Sequence, residues 1–155
     1  MHRRSQGFTL LELMVVIVLI GIVLGMVSLA AGSNPARQAR QEAGALIQLL
    51  STLREQAVLE GREYGLHLDA GSYQVYRLDS PHWQPVGPRH RVAEGLQLRL
   101  EQYGRAMVLH NSPGQPQVLV LSSDEFSAFT LHFETAGQQW LSLSSDGLGE
   151  PAVDE

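Results

Sequence analysis

Hydrophobic and polar positions divide the chain into stretches with different periods. The residues up to Gly7 are mostly polar and basic, and nearly every residue from 8 to 31 is apolar. From 36 to 60, apolar residues return every three or four positions, which predicts an amphipathic helix. After Gly61, apolar and polar residues alternate in short runs, which predicts β-strands.

The first apolar segment is long enough to cross a membrane. No charged residue lies between Leu13 and Ala31, and a helix needs roughly 20 apolar residues to span a bilayer. Arg3 and Arg4 precede the segment, which predicts a cytoplasmic N-terminus with the bulk of the chain facing out. Glu12 lies within it, where a carboxylate costs up to roughly 2.5–3.5 kcal/mol at the helix centre. Because of that cost, we expect Glu12 to have a functional partner.

The run GFTLLEL over residues 7–13 resembles the class III signal of type IV prepilins and type II secretion pseudopilins. The resemblance implies that a prepilin peptidase cuts between Gly7 and Phe8 and methylates the new N-terminal Phe8. It also implies that Glu12 is a subunit-pairing carboxylate for the amine of a neighbouring chain. A secretory signal fits less well, because its apolar core is shorter and a small-residue cleavage site follows it. A plain signal anchor leaves Glu12 unexplained.

The amphipathic helix has predictable ends and a predictable buried face. Asn34 is available as its N-cap, and Gly61 suits the residue that ends a helix. Pro35 leaves open whether one long helix is kinked or two helices are separated by a break. The expected buried stripe consists of Ala39, Ala43, Leu46, Leu50, Leu53 and Ala57, widened by Ile47, Leu49 and Val58.

The remaining sequence predicts a set of short antiparallel strands. Prolines in residues 82–90 predict a loop there, with Trp83 tucked against the core, and the tail from Asp146 is expected to fray. The strands are predicted at 63–68, 72–78, 96–101, 106–109, 118–121, 129–134 and 139–144.

The predicted fold class is α+β, with a long N-terminal helix packed on an antiparallel, β-sandwich-like domain. The helix has a membrane half and an amphipathic half, and the whole resembles the pilin lollipop. The predicted domains are a leader over 1–7, a transmembrane and assembly helix over 8–31, an amphipathic helix over 32–60 and a periplasmic β-rich domain over 61–155.

Two sequence runs further along the chain make the resemblance specific to one subfamily. EGREYGL over 60–66 and SSDEFSAFTL over 122–131 resemble the minor pseudopilin H subfamily of type II secretion, although glycine and proline usually stand where this chain has Asp124 and Ala128. The resemblance implies an inner-membrane protein that is built into a periplasmic pseudopilus, which drives export of folded proteins across the outer membrane. Its implied partners are other minor and major pseudopilins, the prepilin peptidase and the inner-membrane assembly platform.

Composition excludes several kinds of function. The chain has 155 residues, no cysteine and a formal charge of −5, which allows one domain beyond the anchor and excludes disulfides and thiol chemistry. Cleavage after Gly7 would remove Arg3 and Arg4 and make the mature chain more acidic. An acidic chain is a poor match for nucleic acid, whose binding depends on phosphate neutralisation by Lys and Arg.

No motif predicts catalysis, a cofactor or a resident metal, so the chain is predicted not to be an enzyme. The six histidines show no metal-ligand spacing. Ser144, Ser145 and Asp146 are adjacent but lack a nucleophile-elbow motif, which favours a polar turn. The acidic tail around Asp146 and Glu150 offers oxygen ligands for calcium, but a solvated tail is favoured because the ligands follow no ordered pattern.

Two other functions stay open at this point. One is a minor pilin of a type IV pilus, of the FimT/FimU kind, some of which bind DNA; the acidic charge and the absence of cysteine argue against it. The other is a membrane-anchored periplasmic enzyme or binding protein.

Overall fold

The computed structural model describes residues 10–30, 34–109 and 114–154. The chain separates into two units, Met1–Ser33 and Asn34–Glu155. Helix α1, Leu10–Ala30, belongs to the first unit, and helix α2, Pro35–Glu60, begins the second. The strands that follow are β1 Tyr64–Asp69, β2 Ser72–Asp79, β3 His82–Arg91, β4 Gln97–Gln102, β5 Arg105–Ala106, β6 Val118–Val120, β7 Phe129–Thr135, β8 Gln138–Ser145 and β9 Ala152–Asp154.

Between Leu10 and Ile22, helix α1 presents exposed apolar side chains. Its large apolar residues from Leu10 to Ile22 are between 44% and 78% exposed. Across the residues that the structure describes, no helix has the length and hydropathy needed to cross a membrane. The transmembrane segment over 8–31 stays a prediction. The kink or break near Pro35 also stays open, because residues 31–33 lie outside the described residues.

The ends of α2 follow the local capping signals. Asn34 accepts hydrogen bonds at Oδ1 from the backbone N–H groups of Ala36, at 3.1 Å, and Arg37, at 3.3 Å. Gly61 adopts a left-handed φ of 63°, and the Arg62 N–H donates to the Ala57 carbonyl at 3.2 Å. Both predicted caps are confirmed.

The buried face of α2 matches its predicted stripe. The buried residues are Ala39, Ala43, Leu46, Leu50, Leu53 and Ala57. Ile47 and Leu49 are partly buried against the core, but the prediction for Val58 is wrong, because its side chain is 46% exposed. One residue advances about 100° around a helix, so the position after Ala57 turns away from the narrow stripe.

Two antiparallel sheets complete the second unit. The first has the strand order β3-β2-β1-β6 and the second has the order β5-β4-β7-β8-β9. Helix α2 packs against β1 and β6 of the first sheet and β7 and β8 of the second. Together they bury one continuous apolar core. The predicted α+β class, a helix packed on antiparallel sheets, is confirmed.

The prediction of a loop over residues 82–90 is wrong, because these residues form β3. Pro85 pairs with Tyr76, and the register shifts between Tyr73 and Val75. β3 is the outer strand of its sheet, and an edge strand tolerates proline at positions whose N–H would face solvent. The sequence shows the prolines but not that the strand lies at an edge.

The C-terminal tail is also paired, contrary to the expectation that it frays. β9 joins the edge of the second sheet, with Val153 opposite Leu143 of β8. Ser144 donates from Oγ to Asp154 Oδ2 at 3.1 Å. All three β9 residues are exposed, which is compatible with a short strand at the edge of a sheet.

Two smaller predictions need correction. Trp83 is only half-buried on β3, whereas Trp140 is the tryptophan that packs against the core. The strand expected over 106–109 is the short β5, Arg105–Ala106, which closes a tight turn from β4.

Glu42 ties α2 to the strand β3 and to the segment that follows it. Its carboxylate lies 3.0 Å from His90 Nε2 and accepts the Ala93 N–H at 3.1 Å. The Tyr73 ring packs on His90 with centroids 4.7 Å apart. Burial, reinforced by the charge of Glu42, raises the pKa of the Tyr73 phenol to about 12.

This shift predicts a loss of stability at alkaline pH. An unfolded tyrosine ionises near pH 10 while folded Tyr73 keeps its proton, so this contribution is present below about pH 10 and is lost as the pH rises toward 12. Between pH 10 and 12, we expect the free energy of unfolding to fall by on the order of 2 kcal/mol less in Tyr73→Phe than in the parent chain. Denaturant melts of the full chain in detergent measure this. Tyr103→Phe, at a side chain that is 88% exposed, is the control, and identical alkaline slopes for Tyr73→Phe and the parent would contradict it.

Candidate functional site

The first turn of α1 carries the predicted pairing carboxylate. Glu12 is the acidic residue of that turn and is exposed. The N-terminal end of a helix carries partial positive charge, which favours a carboxylate there. Gly7 and Phe8, the predicted cleavage and methylation positions, lie outside the described residues, so their roles stay predictions.

An apolar groove follows Glu12 on α1. Its lining residues are Leu11, Met14, Val15, Val18 and Leu19, around a volume of about 320 Å³. Spacings of three and four place these side chains on one helical face. An exposed face of this kind is suited to packing against another apolar helix.

Those candidate metal and catalytic residues that the structure describes do not form a site. Among the described residues, no three His, Asp or Glu side chains come together as metal ligands. His67 and His132 are buried on separate sheets, at β1 and β7. His2 and His110 lie outside the described residues.

The prediction of a polar turn at Ser144, Ser145 and Asp146 is wrong for the two serines, which end β8, and only Asp146 belongs to the bend that follows. Ser145 Oγ accepts the Gly147 N–H at 3.1 Å. Asp146 Oδ1 accepts the N–H groups of Leu148 and Gly149, both at 3.0 Å. These backbone hydrogen bonds lower the pKa of Asp146. The carboxylate is therefore engaged in local structure.

The run over residues 60–66 joins the helix to the first strand. Gly61 ends α2, and the Tyr64 phenol donates to Glu60 Oε2 at 2.7 Å. At Gly65 an added Cβ would lie 2.6 Å from the Pro116 ring and 3.0 Å from the Val118 carbonyl oxygen. Glycine at this position lets the β6 segment approach β1 closely.

In the run over residues 122–131, residues 122–128 form a loop that docks on the turn after β8, and residues 129–131 begin β7. The Phe126 N–H donates to the Gly147 carbonyl at 2.8 Å. The Ser127 hydroxyl accepts the Leu119 N–H at 2.8 Å, and its own N–H donates to the Leu119 carbonyl at 2.9 Å. Asp124 has a φ of 72°, in the left-handed region that favours glycine.

Asp124 fastens this loop to α2. Arg54 donates from Nε and an Nη to the two Asp124 carboxylate oxygens at 2.6 and 2.9 Å. The guanidinium carbon also lies 5.4 Å from the centroid of the Phe126 ring. The hydrogen bond to Asp124, followed by its charge, raises the pKa of Arg54 despite the cost of burial. A bidentate pair with cation–π contact gives the loop a fixed geometry.

Two family models match the chain. The model for the prokaryotic N-terminal methylation motif matches residues 2–28. The model for type II transport protein GspH matches residues 42–147, more than half of the chain. The chain belongs to the type II transport protein GspH family.

Curated relatives of the GspH family align along most of the chain. The chain is 42% identical to type II secretion system protein H of Pseudomonas aeruginosa, over 98% of this chain and 97% of the relative. It is 28% identical to type II secretion system protein H of Vibrio cholerae, over 87% of this chain and 85% of that protein.

Solved structures of the GspH family share the fold. The crystal structure of the minor pseudopilin EPSH from the type II secretion system of Vibrio cholerae aligns with a TM-score of 0.67 and 25% identity, over 77% of this chain and 95% of that chain. The solution structure of Escherichia coli GspH aligns with a TM-score of 0.65 and 21% identity, over 77% and 89% of the two chains. The second likeness supports the fold alone.

Residues of the docked loop were not all predictable from the GspH-like motif. Arg54 lies outside the buried stripe predicted for α2, and its contact with Asp124 spans 70 positions. The available signal was the aspartate itself, at a position where the subfamily usually has glycine. A residue that replaces glycine at a positive φ indicates a compensating contact.

Asp124 therefore makes opposing contributions to stability. Asp124→Ala loses the ion pair and still places a side chain at a left-handed φ. We therefore expect its free energy of unfolding to fall by about 1–2 kcal/mol. Asp124→Gly loses the same pair but relieves the backbone strain at a positive φ. We therefore expect its free energy of unfolding to stay within about 0.5 kcal/mol of the parent value. Thermal melts of both variants measure the difference. Equal losses for alanine and glycine would show that the backbone conformation contributes nothing.

Proposed function

We propose that the chain is a minor pseudopilin that assembles into the periplasmic pseudopilus of a type II secretion system. The observation that carries this proposal is the order of its parts. A methylation motif over residues 2–28 and a GspH match over 42–147 stand on one chain. The apolar helix supplies a packing surface, and the α+β unit supplies a folded head.

Maturation is the first step of the proposed function. A prepilin peptidase cuts between Gly7 and Phe8 and methylates the amine of Phe8. The amine then becomes a cation at the start of the apolar segment, and Glu12 becomes its partner on a neighbouring subunit. A paired charge is far less costly in hydrocarbon than a lone one, so pairing favours a helical bundle.

The proposed topology places the N-terminus in the cytoplasm and residues 61–155 in the periplasm. Arg3 and Arg4 before the apolar segment support this orientation. The chain first resides in the inner membrane through residues 8–31. The inner-membrane assembly platform then moves it into the filament, beside other minor and major pseudopilins.

In this function the chain performs no bond chemistry and binds no nucleic acid. Its work is the packing of helices and heads in a filament that helps to move folded proteins through an outer-membrane channel. The apolar groove of α1 and the exposed carboxylate of Glu12 support such a role.

Mass spectrometry of the membrane fraction tests the proposal. We expect the chain to begin at Phe8 with one added methyl group, and we expect deletion of the gene to stop secretion. A control strain without the prepilin peptidase should retain Met1–Gly7. An N-terminus at Met1 in the parent strain, or one beyond Ala31, would contradict the proposed maturation.

A further inference from the structure

Exposed arginines collect where α2 begins. Glu42, near the start of α2, lies 3.0 Å from His90 Nε2 and accepts the Ala93 N–H, so the first turns of the helix meet the end of β3 there. Glu94 is the exposed carboxylate next to this place along the chain. The basic surface is defined by four exposed arginines, Arg37 and Arg40 on α2 and Arg89 and Arg91 on β3.

The opposite end of α2 is acidic. The arginines at that end are already engaged by Asp79 and Asp124, namely Arg54, Arg62 and Arg77. Further carboxylates lie there without an arginine partner among the described residues, at Glu55, Glu60, Glu63 and Glu125. The α+β unit is therefore basic toward the start of α2 and acidic toward its end.

Arg89 and Arg91 line an open cavity of about 360 Å³ beside the turn that joins β1 to β2. The Asp69 carboxylate at its wall accepts the Gly71 N–H at 2.9 Å and the Ser72 hydroxyl at 2.6 Å. It also accepts an Arg89 N–H at 2.7 Å, yet the Arg89 side chain stays 34% exposed. Arg91 has no ion pair among the described residues. The cavity therefore presents guanidinium groups that a further anion can contact.

Arg37 lies where the helix itself disfavours a cation. It is exposed in the first turn of α2 and has no ion pair among the residues that the structure describes. The N-terminal end of a helix carries partial positive charge, so an arginine there weakens α2 within the monomer. A residue that violates a local preference suggests a use outside the fold. An anionic surface opposite Arg37 would offset the cost.

We propose that the basic surface docks on the anionic phospholipid headgroups of the membrane that holds residues 8–31. Arginine suits this partner because its planar guanidinium donates two parallel hydrogen bonds to a phosphate. This inference rests on the membrane topology given under the proposed function.

The length of the connecting chain identifies a bilayer as the partner. The apolar segment is predicted to end at residue 31, and α2 begins at Pro35. Three residues reach about 10 Å when they are fully extended. In the proposed topology, the start of α2 therefore lies close to the headgroups. Attraction between exposed charges acts over a similar distance, about 8–10 Å at physiological salt.

Charge on both ends of α2 then sets the orientation of the docked unit. Each arginine near an anionic bilayer surface strengthens binding roughly fivefold. The same surface repels the acidic end of α2, which turns that end away from the membrane. The lipid therefore orients the folded head before it enters the filament.

Energy transfer in reconstituted vesicles tests the docking. The chain has no cysteine, so Ala70→Cys, at an exposed position beside the cavity, carries a single uncharged donor dye. The full chain is reconstituted into phosphatidylcholine, or into an equal mixture of phosphatidylcholine and phosphatidylglycerol, with a trace of headgroup-labelled acceptor lipid. We expect the ratio of docked to undocked heads to be at least about tenfold higher in the anionic vesicles. Salt at about 1 M should abolish the gain.

The position of the dye provides a control. Leu59→Cys, at the acidic end of α2, is 84% exposed and should show no gain in the anionic vesicles. Equal transfer from Ala70→Cys in both kinds of vesicle, a gain that survives high salt, or an equal gain at Leu59→Cys would overturn the proposal.

Neutral substitutions test which arginines hold the lipid. On the Ala70→Cys background, Arg37→Gln and Arg91→Gln should each lower the docked ratio about fivefold without a change in melting temperature. Arg105→Gln is the matched control, because it removes the same charge at an exposed position of β5 outside the basic surface. An equal loss in all three variants would show an effect of net charge alone and would overturn the assigned surface.

Failure of this inference is distinguishable from failure of the proposed function. If deletion of the gene leaves secretion intact, the proposed function is wrong. If the full chain does not insert into either kind of vesicle, the proposed topology and the docking are both wrong. If the chain inserts and deletion stops secretion but transfer does not depend on the lipid, only the docking is wrong.

Discussion

Glu12→Ala is expected to lower secretion by at least about tenfold while cleavage before Phe8 continues. The carboxylate is exposed on the first turn of α1, amid leucine side chains. Phe8 precedes Glu12 by four positions in the sequence, a spacing that would allow a contact with the amine of the same chain in a helix. In hydrocarbon, however, the charge is better compensated when a second chain brings its amine alongside. Loss of that pair removes a driving force for incorporation into the filament.

Crosslinking between subunits, together with assays of secreted protein, measures the effect of Glu12→Ala. The melting temperature should stay that of the parent chain, since residue 12 and the folded head belong to separate units. Glu12→Asp keeps the charge on a shorter side chain and is the control, with a smaller loss expected. Unchanged crosslinks and normal secretion in Glu12→Ala would show that Glu12 is not a pairing residue.

The helix was predictable from sequence because its signals are local. Asn34 and Gly61 act on backbone groups within one turn, and the burial of residues from Ala39 to Ala57 follows from the helical period. Val58 shows the limit of that reasoning. Periodicity identifies the centre of a buried stripe, but the width of the stripe depends on the neighbouring sheets.

Strand placement was less predictable because edges are set by distant partners. Pro85 and Pro88 suggest a loop only while the position of their strand in the sheet is unknown. The tail residues Ala152–Asp154 likewise become a strand because β8 offers an unpaired edge. Neither fact can be read from the local pattern of residues.

The residues of the candidate site were also predictable only where their signal is local in the sequence. The signal around Gly7, Phe8 and Glu12 is a continuous motif and can be recognised from the sequence alone. The pair formed by Arg54 and Asp124 depends on the fold, because α2 and the loop meet only when the two sheets close around the core.

Gly147 lies in the turn that supports this loop, and its replacement should be costly. Its φ is +99°, and an added Cβ would lie 2.8 Å from the Phe126 carbonyl oxygen. Both groups belong to backbone that is fixed by hydrogen bonds, with Phe126 N–H to the Gly147 carbonyl at 2.8 Å and Gly147 N–H to Ser145 Oγ at 3.1 Å. The strain therefore cannot be relieved by rotation of a side chain.

We expect Gly147→Ala to destabilise the folded unit by about 3 kcal/mol and to lower its melting temperature by roughly 10 °C. Gly149→Ala is the matched control, two residues away, because its added Cβ would meet only Asp146 Oδ1 at 3.7 Å, an ordinary contact. Thermal melts of the full chain carrying either change measure the difference. Equal melting temperatures for the two variants would show that the loop before β7 yields easily to a side chain at position 147.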